Sequence, residues 1–393
     1  MDQENRRLAT FQFGDNSNQS SVAIELSANK PFVQIQIGDG TYWFILDTGA
    51  AASALDTEVA KSLNISLRSP WQASGAGEGT LRAEVGSKVS LNIGSLELCY
   101  KEIDVIPLNS VLFGVEGRRV DGLLGYDFFE QFAVEIDYVN GKTKIRETKE
   151  NLEDVDSNEE KLDLDLVRGS ILTAAEFAPL EHDKRIGGTF LIDTAWRSAL
   201  TFTSPFVASN KLLSGRQGII TSMTGIGIGG QTLENSSRIA SFRLGRFSMK
   251  NLIANFSQAK AGILSQADFS GIIGAEILRR FKVTFDYPNR SMFLSPNKNL
   301  RDPFEFGLSG LFLIAEGSFG KIKIKYVVEN SAGAVAGAKV GDELVSIDNV
   351  PVSSFTLDDI RSLFRKEEGR EYRLVLMRDR ERIQTPLVLK RNI

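Results

Sequence analysis

The strongest constraint on this chain is an internal duplication. The apolar run Phe44-Ile45-Leu46 ends in Asp47-Thr48-Gly49-Ala50, and Phe190-Leu191-Ile192 ends likewise in Asp193-Thr194-Ala195. The glycine-spaced stretch Gly75-Ala76-Gly77-Glu78-Gly79 returns as Gly225-Ile226-Gly227-Ile228-Gly229. Gly122-Leu123-Leu124-Gly125 returns as Gly271-Ile272-Ile273-Gly274, and each copy leads into an apolar stretch closing in Asp-Tyr, at Asp137-Tyr138 and Asp286-Tyr287. The first three landmarks recur at separations of 146, 150 and 149 residues. Landmarks that keep register over such a distance mark two copies of one folding unit.

Each copy reads as β. Val33, Ile35 and Ile37 alternate with polar residues, the signature of a half-buried strand. Gly38-Asp39-Gly40 turns that strand into the run that delivers Asp47. Asn140-Gly141 between apolar segments predicts a hairpin. The segment from Ala52 to Leu63, with Leu55, Val59 and Leu63 four apart, predicts a short helix. The alternate glycines of the two tips suit hairpins that bend easily, as lids over a cleft must. Paired apolar residues framed by glycines suit a strand threaded through a crowded centre. The flanks of Gly225–Gly230 offer no strand-then-helix context, which argues against a dinucleotide-binding loop there.

An apolar strand that ends in a carboxylate places that group at the edge of a dry core, where it is costly without a purpose. Composition narrows what the purpose can be. Forty-six basic against 50 acidic residues leave a net charge of -4, which points to neither nucleic acid nor an anionic membrane as partner. A single cysteine, Cys99, excludes an intramolecular disulfide and a cysteine metal cluster. The one histidine, His182, lies in a polar stretch that reads as an exposed turn, so a Ser-His or Cys-His nucleophile has no support. No metal and no cofactor are expected. No apolar run reaches the length of a membrane span. The N-terminus lacks the order of a signal peptide, so the chain is expected in the cytoplasm as written, or outside it if an N-terminal segment has been trimmed.

The expected organisation is a polar leader over 1–19, a first β lobe over 20–146, an acidic linker over 147–168, a second lobe over 169–300 and a separate domain over 305–393. In that last domain the run Ala336-Gly337-Ala338-Lys339-Val340-Gly341-Asp342-Glu343-Leu344-Val345-Ser346-Ile347-Asp348-Asn349 precedes Thr356-Leu357-Asp358-Asp359, a capping box that opens a helix.

Hydrophobic-hydrophobic-Asp-Thr-Gly-Ala resembles the active-site loop of the pepsin and retroviral aspartic proteases, and the C-terminal run resembles a bacterial-type PDZ domain. Together they resemble bacterial retropepsin-like proteases with two lobes and a trailing PDZ domain. The resemblance implies a mainly β fold of two aspartic-protease-like barrel lobes and a PDZ-like domain. It implies an aspartic-type endopeptidase with Asp47 and Asp193 as the catalytic pair. Thr48, Gly49, Thr194 and Ala195 would support the two loops. Gly75, Gly77 and Gly79 would form one flap, and Gly225, Gly227 and Gly229 the other. In the PDZ domain, Gly310, Leu311, Phe312, Leu313 and Leu357 would bind peptide, with the wall continued by Ile360 and Phe364. The partners implied are a polypeptide substrate and a polypeptide C-terminus, and a monomer is expected.

Two carboxylates that close cannot both ionise, so the pair holds one proton and serves as acid and base at once. One residue departs from the pattern: Ala195 stands where glycine is expected, which leaves a catalytically silent peptide-binding protein as the alternative. A homodimeric site built from the first lobe alone is a third arrangement, disfavoured by the fused second copy.

Overall fold

The computed structural model describes residues 9–14, 17–148, 159–181, 184–317 and 320–393, and it is mainly β. His182, most of the polar leader and residues 149–158 of the acidic stretch lie outside the described residues.

The two copies build the same local topology. In the first, Gly40–Leu46 pairs antiparallel with Lys30–Ile37 and parallel with Gly122–Leu124. Gly122–Leu124 in turn pairs antiparallel with Ala54–Asp56, which runs parallel to Leu96–Ile106. In the second, Ile186–Asp193 pairs antiparallel with Ser170–Ala178 and parallel with Gly271–Gly274. Gly271–Gly274 then pairs antiparallel with Leu200–Phe202, parallel to Phe247–Phe256. The framing glycines are required by crowding. A β-carbon on Gly122 would fall on the Phe44 ring, and one on Gly274 would meet the Trp196 and Ser198 carbonyls.

The copies meet through one sheet. Phe132–Asp137 pairs antiparallel with its counterpart Phe281–Asp286, Ala133 opposite Asp286 and Asp137 opposite Lys282. Phe129, Phe285 and Tyr287 pack face and edge beneath this seam. One continuous apolar core therefore spans residues from both copies.

Two expectations change. Leu55 lies in the strand Ala54–Asp56, and the helix is only Thr57–Ser62. Asp56 stops the strand and caps the helix, its carboxylate accepting from Glu58 N at 3.0 Å and from Asn109 N at 3.0 Å. A four-residue apolar spacing is satisfied equally by one buried strand residue followed by a helix. The described part of the acidic stretch also carries strands: Glu160–Asp163 pairs with Ser291–Pro296, and Asp165–Val167 with Ser170–Ala178.

The C-terminal sheet runs in the order Leu311–Glu316, Lys321–Val327, Glu343–Ile347, Glu371–Arg378 and Glu381–Val388. Leu311–Glu316 is an edge strand. The helix Leu357–Leu363 opens with the capping box expected from Thr356 and Asp359, and it packs over that edge.

Candidate active site

The strands Gly40–Leu46 and Ile186–Asp193 each end at a wall of the same cavity, about 450 Å³, which Asp47, Gly49, Asp193 and Ala195 line together. Asp47 is pinned by its own loop: its N–H donates to Leu124 O at 2.9 Å, and its Oδ1 accepts from Gly49 N at 3.0 Å and Ala50 N at 3.1 Å. Asp193 Oδ1 accepts from Ala195 N at 2.8 Å.

The two loops are laced crosswise. Thr48 N donates to Thr194 Oγ1 at 3.0 Å, and Thr194 N to Thr48 Oγ1 at 3.0 Å. Each hydroxyl then donates to the strand of the other copy, Thr48 to Ile192 O at 2.9 Å and Thr194 to Leu46 O at 2.6 Å. Both threonines are fully buried. Four bonds in a dry centre set the mutual position of the two loops, because any slip would leave buried donors unpaired. Gly49 is short for the same reason: a β-carbon there would run into the Asp193 carboxyl group.

Ala195 does not take the positive φ that would call for glycine. Its φ is ordinary, its N–H keeps the bond to Asp193, and its methyl packs on an apolar cluster of the first copy that includes Ile45 and Leu123.

The carboxylates keep some solvent-accessible surface, yet both lie deep among protein atoms, and that depth governs their titration. Burial pushes Asp47 up to about 6, against the pull of Lys30 and the amides of Gly49 and Ala50. Burial and then the Asp47 charge push Asp193 up to about 8. Two carboxylates coupled in this way lose their protons in two steps, the charge of the first opposing the ionisation of the second.

The two glycine tips touch each other. Gly77 N donates to Ile228 O at 2.9 Å and Gly79 N to Gly229 O at 2.8 Å. A β-carbon on Gly77 would overlap the Gly229 backbone, and Gly229 itself sits at φ +90°. Ile226 and Ile228 join the apolar cluster that also holds Trp71.

Sequence reasoning missed three residues on the cavity wall. Lys30 Nζ pairs with Glu116 Oε1 at 2.6 Å, with side chains 10% and 0% exposed. Trp71 lines the cavity with its indole N–H buried and without a hydrogen-bond partner. Lys30 and Glu116 are far apart in the chain and carry no local pattern, whereas the strand-borne Trp71 was visible only as an aromatic.

Of the five PDZ residues, Gly310 turns at φ +67° ahead of the edge strand, and Leu311, Phe312 and Leu313 lie on that strand. Leu357, Ile360 and Phe364 are all buried, in the core of this domain. Among the described residues no group of three or more His, Cys, Asp or Glu is placed to hold a metal. No helix there is long and apolar enough to cross a membrane.

Residues 33–128 match a family model described as aspartyl protease, and residues 323–378 match one described as PDZ domain. No curated protein matches the chain.

Proposed function

With an aspartyl protease domain and a PDZ domain present in the chain, we propose that it is an aspartic endopeptidase whose site joins both copies, Asp47 from one and Asp193 from the other. The observation that carries this reading is the crosswise lacing of Thr48 and Thr194, which holds two aspartate loops against one cavity. A water bound between the carboxylates loses a proton to the ionised member, Asp47, as it attacks the peptide carbonyl. Asp193, protonated, donates to the carbonyl oxygen and stabilises the charge that develops there. The proton taken by Asp47 then passes to the leaving amine, and the peptide C–N bond breaks. The two glycine tips act as flaps that exclude bulk water. The Trp71 N–H is a donor available to the main chain of a bound polypeptide. The PDZ domain implies peptide binding in addition to that of the cleft.

The test is incubation of the purified chain with an unstructured polypeptide across a pH series. Cleavage is expected to rise as pH passes about 6, where Asp47 ionises, and to fall past about 8, where Asp193 loses its proton. Asp47→Asn is expected to abolish cleavage with the fold intact, because an amide accepts no proton from water. Binding without cleavage by the unsubstituted chain would instead identify a silent peptide-binding protein.

A further inference from the structure

The helix Leu108–Glu116 of the first copy has two working faces. Leu112, Val115 and Glu116 line the cavity of the aspartates. The other face is seated on the PDZ domain. Phe113 packs against the core of that domain, and Gly114 lies against the edge strand Leu311–Glu316. A β-carbon on Gly114 would stand 3.2 Å from Ala315 O and 3.9 Å from Ile314 Cβ. Val115 O accepts from Arg361 Nη2 at 2.6 Å, and the same nitrogen reaches Leu313 O at 3.5 Å. Leu313 and Ala315 are two apart, so their carbonyls share one edge of the strand. Past the helix, Gly117 at φ +69° brings the backbone onto Leu357, and Asp358 accepts from Ser27 Oγ at 2.7 Å and Ala28 N at 2.9 Å.

The free edge of that strand and the helix beside it are what a PDZ domain offers to an extended chain. Here both are covered from within. Beyond the covered stretch, a cavity of about 170 Å³ stays open, and its lining includes Gly310, the apolar Leu311, Val328 and Phe364, and Arg365, with Glu276 and Glu305 also on its wall. Arg365 has no ion pair among the described residues.

We propose that the Leu108–Glu116 helix is the resident occupant of the PDZ groove, and that a polypeptide ending in a free carboxylate after an apolar residue competes with it. The open end of the groove supplies the apolar socket and the cation for such an end. The exchange moves a wall of the cleft, because the helix that leaves the groove also carries Leu112, Val115 and Glu116. Its seat is tied to both copies: Val115 O accepts from Arg197 Nη2 at 3.2 Å as well, and Glu116 is paired to Lys30. Affinity for the incoming end is therefore lowered by the fraction of chains whose groove is covered. The effect on cleavage rests on the function proposed above, whereas the exchange itself does not.

The test uses the full chain with Cys99→Ser, Gly114→Cys and Ile314→Cys. Positions 114 and 314 have the β-carbon spacing of a disulfide when the helix is seated, 3.9 Å. The probe is a labelled decapeptide ending in a free valine, with its amidated twin, read by fluorescence anisotropy. The reduced chain is expected to bind the free-acid peptide at least about tenfold more tightly than the cross-linked chain, and more tightly than the amide. In the unsubstituted chain the peptide is expected to speed hydrogen exchange at the amides of residues 112–116. Failure to cross-link, equal binding by oxidised and reduced chains, or no binding by either overturns the proposal. Redox-dependent binding without any cleavage upholds the exchange and counts against the peptidase.

Discussion

Replacing Lys30 by methionine tests the electrostatics of the cleft. Glu116 is fully buried, its Oε1 is held by Lys30 at 2.6 Å, and its Oε2 has no hydrogen-bond partner. Burial favours protonation of Glu116, but Lys30, Arg197 and Arg361 outweigh it and hold the carboxyl below its usual value. Breaking a buried pair by removing one partner costs about 3–5 kcal/mol, since the remaining charge is stranded. The sign with pH follows. In the unsubstituted chain, the stabilisation from this group is present above the ordinary glutamate value of 4.5 and is lost as pH falls through its lower folded value. In Lys30→Met the folded value rises, so the deficit relative to the unsubstituted chain is full above the variant's folded value and closes as pH falls from there through the lowered folded value of the unsubstituted chain. Urea unfolding at neutral and acid pH measures this, with the midpoint shifted at constant slope. Lys30→Met with Glu116→Leu is expected to recover most of the loss, as apolar replacement of a whole buried pair commonly does. Equal stability of the single and double variants would refute the reasoning. The same single substitution removes a positive charge that lowers both aspartates. The acid limb of cleavage is therefore expected to move to higher pH, and an unmoved limb would show that the aspartates do not sense Lys30.

Thr194→Val keeps the shape but strands Thr48 N–H and Leu46 O, so a loss of about 2 kcal/mol or more in unfolding free energy is expected, together with reduced cleavage. Gly77→Ala drives a methyl into the Gly229 backbone, and hydrogen exchange at residues 77 and 79 is expected to speed up while the rest of the chain is unchanged. Ala195→Gly is expected to lower stability by about 1 kcal/mol through unfolded-chain entropy and to leave cleavage near its original rate. A large gain in rate would show that the methyl obstructs the site.

What was legible in the chain depended on how local the physical requirement is. Gly122, Gly125, Gly271 and Gly274 announce themselves because a β-carbon has no room beside the strands they thread. The Thr356 capping box needs only its own four residues. Leu55 misled because burial in a strand and burial on a helix leave the same apolar letter at the same spacing. The acidic stretch misled because Leu162 and Leu164, the apolar residues that bury its described part, are outnumbered by charged neighbours.

Two copies of one β unit, an aspartate at the end of an apolar strand in each, and a PDZ-like domain after them are all readable along the chain. These are properties of spacing, and spacing is preserved in the chain whatever it packs against. Packing between distant segments laced Thr48 and Thr194 across the copies, set Ala195 against an apolar surface and brought Lys30 to Glu116. It also laid the Leu108–Glu116 helix along part of the edge strand Leu311–Glu316 of the PDZ domain. Each of these depends on a partner distant in the chain, and a side chain does not encode, in its own neighbourhood, the identity of the distant group that will satisfy its hydrogen bond, its charge or its volume.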